Sequence, residues 1–147
     1  MTVTQYKVKT AARLLLGAVF TLFGLNGFLG FLPMPPPEGL AAAFMGGLGA
    51  SGYFFPLLKG TELLAGLLLL GNRFVPLALT VLAPIVVNIL AFHLFMAPAG
   101  LALPLIVTAL GVYLAYTERE VFAPVLRARS SEPVPSSARS GHAAVAS

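Results

Sequence analysis

Residues Tyr53 to Gly71 read YFFPLLKGTELLAGLLLLG, an apolar run that carries Lys59 and Glu62. A run of this length crosses a hydrocarbon core of about 30 Å when it is helical. Hydrocarbon offers the backbone no water, so a spanning segment must satisfy its own amides and carbonyls, as a helix does. A charge at mid-helix costs roughly 2.5–3.5 kcal/mol on insertion scales, which turns such side chains toward protein or a wet cavity. The i,i+3 spacing lets ammonium and carboxylate meet on one face and lowers that cost. The pair reads either as a neutralised lock between helices or as the floor of a binding or proton-handling site.

The rest of the chain belongs to the same solvent. Of 147 residues, 58% are hydrophobic and 10% charged. An ordinary soluble domain carries about 25% charged residues. The composition therefore predicts one integral membrane domain, with the lipid bilayer as its first partner. Net charge is +4, but no basic patch sits in a foldable polar segment, so nucleic acid is not an expected partner. The absence of cysteine excludes disulfides and thiolate metal sites in this chain.

Four apolar runs predict an all-α, polytopic four-helix bundle over residues 1–126, with spans at about 14–32, 53–71, 74–96 and 101–116. Basic residues Lys7, Lys9 and Arg13 precede the first run, which is longer than a signal peptide's apolar core of about 7–15 residues. Pro33 to Pro37 end it, because proline cannot continue a helix. The Gly-rich stretch Glu38 to Gly52 is too broken for a span and reads as a short interfacial or re-entrant helix, or as a surface loop. Gly71-Asn72-Arg73 marks a tight turn. Span four is short and is expected to extend toward Val121. Residues 127–147 read as a disordered cytoplasmic tail.

Lys and Arg set the orientation. They lie before span one, at Arg73 between spans two and three, and after span four, whereas the other two connections have none. The positive-inside rule puts both termini in the cytoplasm, with the chain in the cell (inner) membrane. At 1.5 Å per residue, Asn26, Lys59, Glu62, Asn88 and Thr108 then fall about 9–13 Å below the outer ends of their spans, with His93 about 5 Å below. The inner half holds only Thr21 and Thr80 as polar groups. This asymmetry predicts an outward-opening polar pocket with Lys59, Glu62, Asn88, Asn26 and His93 as ligand-binding residues. Each also has a plainer reading. Asn26 and Asn88 serve as interhelical glue worth about 0.6–2 kcal/mol, and Thr108 bonds to its own backbone. His93 lies about 140° round the helix from Asn88 and equally fits the aromatic interface.

Catalytic signals are missing. His142, the other histidine, lies in the tail, so a bis-histidine haem is not supported, and no metal spacing, phosphate loop or nucleophile motif appears. No catalytic residue is assigned, and the chain reads against a stand-alone enzyme.

The patterns ARLLLGAVFTLFGLNGF, KGTELLAGLLLLGNRFVPLAL and NILAFHLF resemble the DoxX family of small four-helix bacterial membrane proteins. The resemblance covers about Ala11 to Leu126 and places the family's intramembrane glutamate at Glu62. It implies an accessory subunit of a quinone- or thiol-linked redox system. Such a subunit has a redox-enzyme partner, and self-association is an open alternative. No covalent cofactor is implied, and a quinone is the candidate ligand, with Lys59, Asn88 and His93 as donors to its carbonyls. A small-metabolite transporter and a purely structural assembly protein are the competing readings.

Overall fold

The structure, a computed structural model, describes residues 2–124; the expected tail at 127–147 and His142 lie outside the described residues. Every regular element among them is helical: α1 (Val3–Leu29), α2 (Gly39–Ala50), α3 (Phe54–Leu70), α4 (Val75–Phe95), α5 (Ala102–Thr117) and the single turn α6 (Arg119–Phe122), with a 3₁₀ turn at Pro98–Gly100.

α1 begins well before the apolar run. Thr2 and Gln5 form a capping box, each side chain bonding the other's backbone N–H, which satisfies two of the orphan donors of a helix start. No breaker follows until Gly30, whose left-handed φ of 60° ends the helix and whose N–H returns to the Asn26 carbonyl. The basic segment is thus the first three turns of α1.

Two helices, α1 and α4, are long and apolar enough to cross a membrane. α3 has 17 residues, about 25 Å, and α5 has 16, about 24 Å. α2 and α3 pass the same test only together, as one broken span or re-entrant unit bent by 93°. Of the four expected spans, two, or three with the bent pair, are thus long and apolar enough to cross a membrane, which is consistent with a membrane protein. The segment after Pro37 is a helix and not a loop. Its Phe44 ring lies 5.9 Å from that of Phe92 on α4, so α2 is folded back over the end of the bundle. Span four does not run on unbroken, because Glu118 leaves the helical region between α5 and α6.

α1, α3, α4 and α5 pack in a ring, α1 touching α3 and α5, and α4 touching the same two. The α3–α4 turn is as tight as its Gly-Asn-Arg sequence predicts, with Asn72 at φ 53° and Phe74 at φ 51°. Asparagine tolerates the left-handed region; for phenylalanine it is a strained position.

The core occupies one half of this ring. Leu16, Phe20, Leu69, Leu82 and Leu114 are almost wholly enclosed, with Ala12, Ala65, Ala78 and Val107 between them. These come from the middle of α1, the end of α3, the first half of α4 and the length of α5, and they lie toward the end bearing the N-terminus. In a hydrocarbon solvent such packing stabilises by close contact and not by leaving water. Toward the opposite end the buried set thins to Gly24, Ala41, Pro104 and one charged residue, Glu62.

Candidate functional site

The α1–α3 seam brings the two charges to their place. The glycines of α1 recur at Gly17, Gly24 and Gly27, and α3 answers with Gly66. A Cβ at Gly24 would stand 2.6 Å from the Leu63 nitrogen, and one at Gly66 would stand 2.5 Å from both the nitrogen and Oγ1 of Thr21. Backbones approach this closely only where side chains are missing, the small-residue logic of membrane helix pairs. Gly27 meets the stem of Lys59, so the same seam that joins the helices also seats that lysine.

Within the seam the Lys59 Nζ donates to Glu62 Oε2 at 2.7 Å. The carboxylate is 3% exposed and the ammonium side chain 25%. The pair is therefore asymmetric: the acid is enclosed and the base lies at the edge. Glu62 Oε1 receives no hydrogen bond among the described residues, and Nζ makes only one of its three. An enclosed carboxylate with one acceptor oxygen free, beside an ammonium with donors free, can hold a small polar group by two points of contact.

The other residues of the expected pocket go elsewhere. Asn26 Oδ1 accepts from Leu32 N–H at 2.6 Å and its amide reaches Met34 Sδ at 3.9 Å. Asn26 thus ties down the chain as it leaves α1. Asn88 is exposed on the wall of α4 and makes no hydrogen bond among the described residues. His93 Nδ1 donates to the Ile89 carbonyl at 2.8 Å, with its ring edge-on to Phe92. Thr108 bonds the Pro104 carbonyl, and Thr61 and Thr80 likewise close on their own helices. Of the five expected ligand-binding residues, direct bonding unites Lys59 and Glu62 alone. A shared depth did not give a shared direction.

Two cavities open at the far end of the ring instead. One of about 140 Å³ is lined by Tyr6, Lys9, Thr10, Arg13, Asn72 and Glu118. A wider one of about 500 Å³ is lined by Gln5, Tyr113, Tyr116, Thr117, Arg119 and Glu120. Neither includes any residue of the expected outer pocket. Lys9 Nζ meets Glu118 Oε1 at 2.6 Å. Arg13 Nη1 donates to the carbonyls of Leu69 and Leu70; the Leu69 carbonyl also accepts from the Asn72 N–H, so the guanidinium adds to the capping at the end of α3. The sequence marked these bases only as signs of orientation. Their structural partners are far away in the chain and leave no local signal.

Among the described residues no group of three or more His, Asp or Glu side chains converges as a metal site. Comparison with protein-family models, with curated proteins and with solved structures found no match to this chain.

Proposed function

We propose that the chain is a four-span membrane protein with both termini on the cytoplasmic side of the inner membrane. It serves as an accessory subunit of a quinone- or thiol-linked redox system and holds a small lipophilic molecule at Lys59–Glu62. The observation that carries this reading is the enclosed Glu62 carboxylate, with one oxygen on Lys59 and the other without a donor among the described residues. A quinone-like carbonyl would accept from the Lys59 ammonium at the edge of the pair, while its hydroxyl in the reduced form would donate to Glu62 Oε1. Leu57, two residues before Lys59, and Phe28 of α1, whose ring tip lies 4.0 Å from a Cβ placed at Gly60, are both exposed and offer ring and tail contacts. The likeness to the DoxX family supports the redox setting. The orientation is supported by the meeting of Lys9, Arg13, Asn72 and Glu118 around one cavity, since all three base-bearing segments then share one face of the bilayer.

The test is a thermal unfolding series on the full chain in uncharged detergent, with and without a short-tailed benzoquinone. The expected result is a saturable rise in midpoint that Glu62→Gln abolishes. A midpoint indifferent to quinone in the wild-type chain overturns the ligand role.

A second reading has its own observation. The glycine seam runs directly past the pair, with Gly27 against the Lys59 stem and Gly24 against Leu63. In that reading Lys59–Glu62 fastens α1 to α3 in a purely structural subunit. Glu62→Gln then lowers stability without changing any response to quinone.

A further inference from the structure

The smaller cavity, at the end of the ring opposite Lys59–Glu62, has the chemistry of an anion site. Five of its six lining residues carry hydrogen-bond donors: the Tyr6 and Thr10 hydroxyls, the Lys9 ammonium, the Arg13 guanidinium and the Asn72 amide. The sixth, Glu118, is the single acid. It is engaged at 2.6 Å by Lys9, which keeps two further N–H groups. Arg13 spends Nη1 on the carbonyls of Leu69 and Leu70, leaving Nη2 and Nε without a partner among the described residues. The side chains of Tyr6, Thr10 and Asn72 make no hydrogen bond among those residues either. Two bases against one acid leave the cavity with one net positive charge.

The donors come from three separate segments. Tyr6, Lys9, Thr10 and Arg13 recur on one face of α1 at spacings of three, one and three. Asn72 is presented by the α3–α4 turn in a left-handed conformation, and Glu118 by the end of α5. A planar carboxylate offers two oxygens to such a set, whereas a tetrahedral phosphate offers more oxygens in directions that match donors from several sides. The cavity lies just outside the apolar run that begins at Leu14, the level at which lipid headgroups sit beside a membrane helix. Next in sequence to its lining residues stand three further bases, Lys7, Arg73 and Arg119, with one further acid, Glu120, beside Arg119. Basic pockets between helices at this level suit anionic lipid headgroups.

We propose that this cavity binds a phosphate group, with the phosphodiester of an anionic lipid as its source. Lys9 and Arg13 supply the charge, Tyr6, Thr10 and Asn72 supply neutral donors, and Glu118 moderates the affinity by competing for Lys9. The site stands independently of any role for Lys59–Glu62.

Opposite-sign variants give the test, because Lys9→Gln and Glu118→Gln break the same ion pair but change the cavity charge in opposite directions. The full chain in uncharged detergent is titrated with phosphatidylglycerol, with inorganic phosphate and with diacylglycerol, and each variant's midpoint shift is read against its own ligand-free baseline. Phosphatidylglycerol should raise the wild-type midpoint saturably, and diacylglycerol should not. Lys9→Gln should weaken apparent affinity about tenfold and Glu118→Gln should strengthen it, as removal of one positive or one negative charge at contact range requires. A Thr10→Val variant, which disturbs no bond of the free protein, should weaken binding and covers the case in which Lys9→Gln does not fold. Equal stabilisation by inorganic phosphate supports the site with free phosphate as its source. No shift with either phosphate compound, or shifts of the same sign in Lys9→Gln and Glu118→Gln, would overturn the proposal.

Discussion

Replacing Gly24 with alanine tests the seam on which the ion pair rests. The added methyl would lie 2.6 Å from the Leu63 nitrogen and 2.9 Å from its Cα. Ordinary carbon contacts begin near 3.5 Å, so α1 and α3 must part by roughly 1 Å. Both contacts are backbone, and no side-chain rotation relieves them. Overpacking of this kind costs about 1–3 kcal/mol. The loss should sit at the upper end, because the seam also seats Lys59 against Gly27. The matched control is Gly111→Ala in α5, where nothing lies within 4 Å of the new Cβ. Alanine is the better helix former there, so stability should hold or rise by up to about 1 kcal/mol. Unfolding of both variants in mixed micelles, followed by circular dichroism, reads the difference directly. Equal stability of Gly24→Ala and Gly111→Ala would refute a backbone-tight seam.

Two further substitutions probe polar groups near the seam and on the outer wall. Thr21 Oγ1 is enclosed against Gly66 and has no hydrogen-bond partner among the described residues, so Thr21→Val should be neutral or stabilising by about 1 kcal/mol in the same unfolding assay; a loss of that size would mean the hydroxyl is bonded. Asn88 is exposed on an apolar helix with no partner among the described residues, so Asn88→Leu should keep or raise stability by up to about 1 kcal/mol and leave quinone response unchanged. A lost response would return Asn88 to the site.

The extent of each span is written in hydropathy, which is why α4 lies within one residue of its expected bounds at each end. Hydropathy reports where lipid begins and not where a helix begins. α1 therefore starts at Val3, fixed by Thr2 and Gln5, whereas its apolar run starts at Leu14. The Lys59–Glu62 contact was legible because both partners sit on one helix, where spacing alone sets direction. The wider pocket needed the relative rotation of four helices, which spacing on one helix does not contain. Asn88 lies about 120° from the enclosed Leu82 on the same helix, so inward packing of Leu82 turns the amide outward. Asn26 was equally beyond reach, because its partner Leu32 depends on how the chain turns after Gly30. The same holds for Arg13, which reaches the end of α3 across more than fifty residues of sequence.

If Lys59 and Glu62 act as one unit, a double-mutant cycle through Lys59→Met and Glu62→Gln must be strongly non-additive. Lys59→Met leaves an enclosed carboxylate without its counter-charge, and breaking a buried pair in this way costs about 3–5 kcal/mol. Glu62→Gln leaves an ammonium that is a quarter exposed and can reach toward polar surroundings, so its cost should be smaller, about 1 kcal/mol. The double variant should then be more stable than Lys59→Met alone. Losses that add within about 0.5 kcal/mol would show two independent side chains and contradict the ion pair as the centre of the site.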